Sequence, residues 1–142
     1  MTIAAILNEK GKDVTTITVD TTAADAVAVL AQRRIGALPV LDGNDVAGIF
    51  SERDLIYCLA ADGADALARP VRELMTAPAV TVAPDHKVLD ALSLMTKRRI
   101  RHLPVVNDGQ LAGLVSIGDL VKYRIDRIEK EADAMRDYIR QT

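Results

Sequence analysis

The sequence is poor in the residues that form disulfides, metal sites and aromatic binding surfaces. It has one cysteine, two histidines, no tryptophan and only 3% aromatic residues. A single thiol cannot form an internal disulfide, and with two histidines it cannot supply the clustered ligands of a zinc site. No apolar run approaches the roughly 18 residues needed to span a bilayer, and the start of the chain lacks the basic region of a signal peptide. These absences predict a protein of the cytoplasm, a reducing compartment, with no membrane partner.

The sequence also lacks a strong charge of either sign and the motifs of an enzyme. Eighteen Lys and Arg residues against 20 Asp and Glu residues give a net charge of −2, whereas nucleic-acid binding normally takes a strongly basic face. No glycine-rich phosphate loop is present. Ser51 follows the pattern Gly-x-x-Ser and not the Gly-x-Ser-x-Gly elbow of hydrolases. We therefore expect neither catalysis nor a nucleic-acid partner.

Aliphatic residues and an internal repeat are what the sequence has in abundance. Hydrophobic residues make up 49% of the chain, enough for an aliphatic core. Residues 25–55 align with residues 90–120 without a gap, at an offset of 65, and 13 of these 31 pairs are identical. Average composition would give roughly two identities. The chain is therefore built from two copies of one folding unit.

Each copy is predicted to form a β-α-β-β-α unit. Short β segments at Thr16–Val19 and Val80–Val82 each lead into an amphipathic helix, whose expected N-caps are residues 20–22 and Asp85. A Leu-Pro-Val strand follows in each copy. A turn containing Asp and Gly joins it to the next strand, which is a hairpin signal. Each hairpin ends in Ser-x-x-Asp, a pattern typical of a helix start.

Three segments lie outside the repeats. Ile3–Lys10 is predicted to be a helix closed by Gly11, and Ala64–Met75 a helical connector interrupted by Pro70. The last helix continues without a breaker to the end of the chain, and its apolar residues recur at alternating spacings of four and three, as in a coiled-coil seam. They are Val121, Ile125, Ile128, Ala132, Met135 and Ile139. The seam favours packing on another subunit, but packing on the chain's own domain stays open. The expected divisions are an N-terminal segment with the first repeat at 1–63, a connector at 64–78, the second repeat at 79–125 and a helical extension at 126–142.

Two motifs recur in the same order in both repeats. The first repeat carries Leu38-Pro-Val40 and Gly48-Ile-Phe-Ser-Glu-Arg-Asp-Leu55, and the second carries Leu103-Pro-Val105 and Gly113-Leu-Val-Ser-Ile-Gly-Asp-Leu120. Together they resemble the cystathionine-β-synthase (CBS) domain pair, or Bateman module, in its stand-alone bacterial form. The resemblance covers about residues 14–125.

This resemblance implies a mixed α/β (α+β) fold in which two three-stranded sheets are related by a pseudo-two-fold axis. It implies clefts between the copies that bind AMP, ADP, ATP or NAD(H), with S-adenosylmethionine a less favoured ligand, and no catalytic cofactor. It also implies a disc-like homodimer that reports ligand state to a regulated protein of unknown identity. The alternative is a ligand-free adaptor that acts through its last helix and its dimer surface.

The residues themselves offer a nucleotide site. Asp54 and Asp119 lie at helix starts, where free amides favour anions, and an ionised Asp accepts hydrogen bonds from the two hydroxyls of a ribose. Arg53 offers a guanidinium for phosphate. Helix capping alone is the structural alternative for both aspartates.

The two predicted sites are unequal. Arg101 and His102 precede the second Leu-Pro-Val strand, where the first copy has Gly and Ala, and Gly118 stands where the first copy has Arg53. We expect the better anion site to bring Arg53, Arg101 and His102 together. We interpret Arg33, Arg34, Arg98 and Arg99 as solvated helix ends. The full set of predicted ligand-binding residues, including apolar walls for the adenine, is Thr16, Ile17, Ala37, Leu38, Pro39, Ser51, Glu52, Arg53, Asp54, Ala79, Val80, Arg101, His102, Leu103, Pro104, Ser116, Gly118 and Asp119.

Overall fold

The structure is a computed structural model that describes residues 1–141. Its elements, in chain order, are α1 Ile3–Lys10, β1 Ile17–Thr18, α2 Ala23–Arg33, β2 Ala37–Asp42, β3 Asp45–Ser51, α3 Glu52–Asp62, α4 Val88–Arg98, β4 His102–Asn107, β5 Gln110–Ser116 and α5 Ile117–Gln141. The predicted order of elements is confirmed in the first repeat, and in the second repeat from its first helix onward. No helix within this described part of the chain is long and apolar enough to cross a membrane.

The first repeat forms a three-stranded sheet in the order β1-β2-β3. β1 runs parallel to β2 and places Ile17 beside Val40, while β2 and β3 form an antiparallel hairpin. The hairpin turn is two residues long and contains Gly43 with a positive φ of 63°, as a tight right-twisted hairpin requires. Pro39 pairs with Ile49 beyond the end of the short β1, where its missing amide hydrogen costs no hydrogen bond to that strand.

The second sheet has two strands, β4 and β5, so the expected pair of three-stranded sheets is wrong. The segment expected as its first strand contributes one parallel bridge, between Val82 and Val105. Val82 donates to the carbonyl of Pro104 at 3.1 Å, and its carbonyl accepts from Val106 at 2.9 Å. Pro84 follows closely and has no amide hydrogen with which to extend the ladder.

Side-chain caps begin three of the repeat helices as predicted. The hydroxyl of Thr22 accepts from the amide of Asp25 at the start of α2. At α3, Ser51 and Asp54 form a complete capping box, and the same reciprocal bonds join Ser116 and Asp119 at α5. These pairs fix where each hairpin turns into a helix.

The prediction that Asp85 caps α4 is wrong. The N-cap is Lys87, which makes no side-chain cap bond. The carbonyl of Met1 accepts from the amide of Val88 at 3.1 Å. The start of the chain pairs with this segment, since the amide of Ile3 donates to the carbonyl of His86 at 2.9 Å. A long-range backbone contact therefore replaces the local side-chain cap.

The segment before each repeat packs against the other repeat. Leu7 of α1 lies against β5, where a Cβ built on Gly113 would come within 2.7 Å of a Leu7 methyl carbon. The connector does the same at β3, where a Cβ on Gly48 would lie 2.8 Å from the sulfur of Met75. Ile3, Ile6 and Leu7 thus belong to the core of the second repeat, and Val71 and Leu74 to that of the first. This exchange joins the two repeats into one unit.

The connector itself differs from the prediction. It forms two 3-10 helices, Gly63–Ala68 and Val71–Glu73, with Pro70 between them. The expected break at Pro70 is confirmed, but the α-helix is not, because each piece is too short for α-helical bonding to propagate.

α5 is continuous over 25 residues, as predicted. Its buried residue is Leu120, near its start, while Ile125, Ile128 and Met135 are 49%, 48% and 59% exposed. The apolar seam of α5 therefore lies on the surface of the chain and is not covered by the chain's own core.

Candidate functional site

A cleft opens between the two repeats. Its volume is about 200 Å³. The end of β3, the start of α3, the loop before β2 and Thr76 at the end of the connector form one side, while Val80 and the loop before β4 form the other. The lining residues are Gly36, Ala37, Ile49, Ser51, Glu52, Arg53, Asp54, Tyr57, Thr76, Val80, Arg99, Ile100, Arg101 and His102.

Asp54 supplies the fixed acceptor on the first-repeat side. Its Oδ2 accepts from the amide of Ser51 at 2.9 Å and from the Ser51 hydroxyl at 3.1 Å, and its Oδ1 accepts from the Thr76 hydroxyl at 2.9 Å. A carboxylate has about four acceptor sites. Three are in use, so Oδ1 keeps one for a further donor while the capping bonds hold the carboxylate in place.

Basic side chains from both repeats line the cleft. Arg53 comes from the first turn of α3, and Arg99 and Arg101 come from the turn between α4 and β4. Arg99 is the left-handed C-cap of α4, with a φ of 55°, and its carbonyl accepts from Nη1 of Arg53 at 3.1 Å. Glu52 adds one acid to this wall. Three arginines and two acidic residues thus line one opening.

His102 lies deeper than the arginines. Burial lowers the pKa of its imidazole, and the nearby charges of Lys10 and Arg101 act in the same direction, while Glu52 and Asp119 oppose them. A Cβ on Gly36 would approach Cε1 of His102 to 3.3 Å. The glycine before β2 therefore leaves room for the imidazole, which is held largely neutral at pH 7.

An apolar surface adjoins the polar groups. Ala37, Ile49, Val80 and Ile100 line the cleft, and Ala37 is 1% exposed. Tyr57, one helical turn after Asp54, lines the cleft and is 65% exposed. The cleft can therefore take a ligand with a flat apolar part and an anionic part.

Eight of the predicted binding residues lie in this one cleft. They are Ala37, Ser51, Glu52, Arg53, Asp54, Val80, Arg101 and His102. Arg53, Arg101 and His102, which we expected to meet, all line this cleft.

Ten predicted residues lie outside the cleft. Leu38 and Leu103 are fully buried in the two cores, since strand alternation turns them away from the cleft. The others that do not line it are Thr16, Ile17, Pro39, Ala79, Pro104, Ser116, Gly118 and Asp119. Three strand residues in this list, Ile17, Pro39 and Pro104, are buried.

Six lining residues were not predicted: Gly36, Ile49, Tyr57, Thr76, Arg99 and Ile100. Tyr57 follows Asp54 at helical spacing, and this signal would have found it. Arg99 was interpreted as a solvated helix end, and it does end α4, but the left-handed turn there brings it to the cleft. Thr76 carries no local signal, because it reaches Asp54 only through the packing of the connector on β3.

The second Ser-x-x-Asp motif has a different environment. Oδ2 of Asp119 accepts from Nζ of Lys10 at 2.6 Å and from the amide of Ser116 at 2.8 Å. Burial alone would raise the pKa of the Asp119 carboxyl, but the hydrogen bonds from Lys10 and Ser116 hold it below its usual value. The two sites are therefore unequal in geometry, as the sequence predicted, and Lys10 is a cause that the sequence analysis did not identify.

Within residues 1–141, no group of three or more His, Cys, Asp and Glu side chains is placed to hold a metal ion.

Comparison with known proteins assigns both repeats, and with them all the residues that line the cleft, to one family. A family model described as CBS domain matches residues 8–61 and 71–126. A protein with CBS domains from Burkholderia ambifaria is 41% identical, has a TM-score of 0.83, and is matched over 89% of this chain and 95% of its own. The mitochondrial CBS domain-containing protein CBSX3 of Arabidopsis thaliana is 36% identical over 97% of this chain and 71% of its own. The CBS domain pair of protein MJ0100, in complex with 5′-methylthioadenosine and S-adenosyl-L-methionine, is 25% identical with a TM-score of 0.77, over 87% of this chain and 98% of its own.

Proposed function

The chain belongs to the CBS-domain family, and from this premise we propose that it is a regulatory module that binds an adenine nucleotide in the cleft between its repeats. In this proposal the bound nucleotide changes how the module contacts a regulated protein, and the module carries out no chemistry of its own. One observation carries the proposal: Asp54 and three arginines line a single cleft that also has an apolar wall.

The ribose is assigned to Asp54. Its carboxylate is fixed by Ser51 and Thr76 and keeps an acceptor site on Oδ1. A ribose diol is a pair of neighbouring donors, and a hydrogen bond to a charged acceptor contributes about 1.5–3 kcal/mol. The capping bonds support this role because they orient the carboxylate before the ligand arrives.

The phosphates are assigned to the basic wall. Arg53, Arg99 and Arg101 bring planar forks of donors from two repeats, a geometry that suits phosphate oxygens. A neutral His102 adds a donor or an acceptor beside them. The adenine then lies on the apolar wall, near Ile49 and Val80.

The charge of the cleft favours nucleotides over sulfonium ligands. Three arginines against Glu52 and Asp54 leave an excess of positive charge. AMP, ADP, ATP and NAD(H) bring phosphate to this wall, whereas S-adenosylmethionine brings a cation and no phosphate. The related domain pair that holds S-adenosyl-L-methionine supports an adenosyl ligand in general, and the arginines of this chain support a phosphorylated one.

The proposal is tested by calorimetry with AMP, ADP, ATP, NAD, NADH, S-adenosylmethionine and adenosine. We expect at least one phosphorylated ligand to bind more tightly than adenosine, and Asp54→Asn to weaken all of them. Asp25→Asn is a matched control, because Asp25 also lies in the first turn of a repeat helix but outside the cleft. If none of these ligands binds, the proposed function is wrong.

We also propose that the chain forms a homodimer through α5. Ile125, Ile128 and Met135 expose a continuous apolar strip, and exposed strips of this kind mark interaction surfaces. In a parallel, in-register pair, Arg124 would face the partner's Glu129, and Glu131 would face the partner's Arg136. Both flanking pairs are of opposite charge, as in stable parallel coiled coils.

An antiparallel pair centred on the same seam is less favourable. It would bring Glu129 toward the partner's Glu129 and Lys122 toward the partner's Arg136, both of like charge. The charge pattern therefore supports a second copy in parallel orientation.

Sedimentation velocity tests the dimer. We expect Ile128→Asp to convert the dimer to a monomer at micromolar concentration. Ala134→Asp is the matched control, since it places the same residue on another face of α5 and leaves the seam intact. A wild-type monomer, or a dimer that tolerates Ile128→Asp, contradicts this assignment.

The second candidate function is an adaptor that binds a protein through the same exposed strip of α5 and uses no nucleotide. The exposed apolar residues favour it, because they suit a partner helix as well as a second copy. Thermal unfolding with ligand separates the two functions: a ligand at 100 times its dissociation constant adds about 2.7 kcal/mol, while an adaptor shows no shift with any of the nucleotides.

A cytoplasmic location completes the proposal. The single thiol, Cys58, is free and half-buried, as in a chain that does not rely on disulfides. Fractionation of cells that produce the protein tests this location.

A further inference from the structure

The second repeat has its own Ser-x-x-Asp helix start, and a lysine from the N-terminal helix lies against it. Nζ of Lys10 donates to Oδ2 of Asp119 at 2.6 Å and to the carbonyl of Leu114 at 2.7 Å. The exposed fractions of the Lys10 and Asp119 side chains are 37% and 25%, so both are partly removed from water.

The same two acceptors exist in the first repeat, but with a different donor. By the repeat offset, Ile49 corresponds to Leu114 and Asp54 to Asp119. In the first repeat the donors to these acceptors come from Thr76, whose amide bonds the Ile49 carbonyl at 2.9 Å and whose hydroxyl bonds Asp54 at 2.9 Å. A short neutral threonine thus lies beside Asp54, where a long cationic side chain lies beside Asp119.

This difference decides what else each aspartate can bind. Thr76 donates one hydrogen bond to Asp54 and leaves its charge unpaired. Lys10 brings a full positive charge and up to three donors to Asp119, and its bond to Oδ2 pairs the negative charge that would strengthen a hydrogen bond from a ribose hydroxyl. Gly118 adds no guanidinium at the position of Arg53, so the second repeat offers no compensating donor for phosphate.

The position of Lys10 is fixed by packing. Leu7, one turn earlier on α1, is 3% exposed and lies directly on Gly113 of β5. Gly11 ends the helix immediately after Lys10. Lys10 is therefore held beside Asp119 by a helix that is itself part of the second core.

We propose that Lys10 blocks nucleotide binding at the second Ser-x-x-Asp motif, so that each chain binds one nucleotide and not two. This inference rests on the proposed function of the first cleft. It assigns to α1 a role in setting the number of ligand sites, beyond its role in the core.

The test gives Asp119 the same kind of surroundings that Asp54 has in the first repeat. The double variant Lys10→Met, Gly118→Arg removes the blocking cation and supplies the missing guanidinium. A Cβ at Gly118 meets only the Ser116 hydroxyl, at 3.6 Å, which is ordinary contact, so an arginine fits there. Lys10→Arg is the matched control that keeps a cation beside Asp119.

The measurement is the number of AMP molecules bound per chain, by calorimetry and by native mass spectrometry. We expect one for the wild type and for Lys10→Arg, and two for the double variant. Adding Asp119→Asn to the double variant should return the number to one. Circular dichroism checks that each variant keeps the native fold, and a double variant that is misfolded is replaced by Lys10→Met alone, which should gain a second, weaker site for adenosine.

The outcomes separate this inference from the proposed function. Two AMP molecules on the wild type, or one on a folded double variant, overturns the role of Lys10 and leaves the first cleft as proposed. If the wild type binds neither AMP nor any of the other nucleotides, the proposed function fails. The role of Lys10 then stands only if the double variant gains one site that Asp119→Asn removes, and it is overturned if no site appears.

Discussion

The replacement Arg53→Met should separate phosphate recognition from ribose recognition. Methionine keeps much of the apolar stem of arginine and removes the guanidinium. A hydrogen bond to a charged group contributes about 1.5–3 kcal/mol. Since Arg53 lies at an exposed position, the lower half of this range applies, which corresponds to a loss of about 10- to 40-fold in affinity for AMP.

Adenosine provides the internal reference for this experiment. It lacks the phosphate but presents the same diol to Asp54, so its affinity should change less than about 3-fold, a difference of roughly 0.6 kcal/mol. The bond from Arg53 to the Arg99 carbonyl is lost with either ligand and therefore cancels in the ratio of the two affinities. Calorimetry with both ligands at one ionic strength gives this ratio directly.

Arg33→Met is the matched control, since Arg33 ends α2 on the surface and does not line the cleft. It should leave both affinities unchanged. If Arg53→Met weakens AMP and adenosine by the same factor, or weakens neither, the assignment of the phosphate to this wall is refuted.

Three further predictions concern stability. Asp54→Ala removes one half of the capping box of α3 and should lower the free energy of unfolding by about 1–2 kcal/mol, whereas Asp25→Ala should cost less than about 0.5 kcal/mol; urea denaturation compares the two. Because burial lowers the pKa of His102, the unfolded chain binds a proton there before the folded chain does, so stability should fall as the pH drops below about 6.5; His102→Gln should flatten this slope between pH 7 and 5, and an unchanged slope would contradict it. Lys10→Met should cost about 0.5–1 kcal/mol at pH 7, as expected for a partly exposed pair. Since the pKa of Asp119 is held below its usual value, this cost should be present above about pH 4 and shrink as the pH falls through the folded-state value; a cost that persists in acid would show that Lys10 stabilises the chain by packing alone.

The sequence was sufficient for the repeat elements because their signals are local. Asp-Gly turns, Ser-x-x-Asp helix starts and apolar spacing act within a few residues, and a second copy at a constant offset doubles each signal. The capping box at Ser51 and Asp54 was predicted for this reason. The exposed seam of α5 was also visible, since its spacing is a property of one helix.

Long-range packing accounts for most of what the sequence did not predict. The spacing of Ile3, Ile6 and Leu7 predicts an apolar helix face, but it does not predict that this face completes the core of the second repeat. The cap of α4 by Met1, the Thr76 bond to Asp54 and the Lys10 bond to Asp119 all depend on that exchange. The strand at Val82 is a further case, because its length is set by the neighbouring prolines and strand ends, and not by its own β propensity.

Because α1 packs on the second repeat and the connector packs on the first, the boundaries of the two hydrophobic cores differ from the boundaries of the sequence repeats. Residues 11–76 contain the first sheet, its two helices and the connector residues Val71 and Leu74 that cover them, so a fragment cut there would carry a whole hydrophobic core. A cut after residue 63 would separate that core from its cover and leave α1 attached to the half it does not pack on. Splitting or circularly permuting the gene should therefore succeed near residues 11 and 77, out of phase with the duplication that the sequence displays.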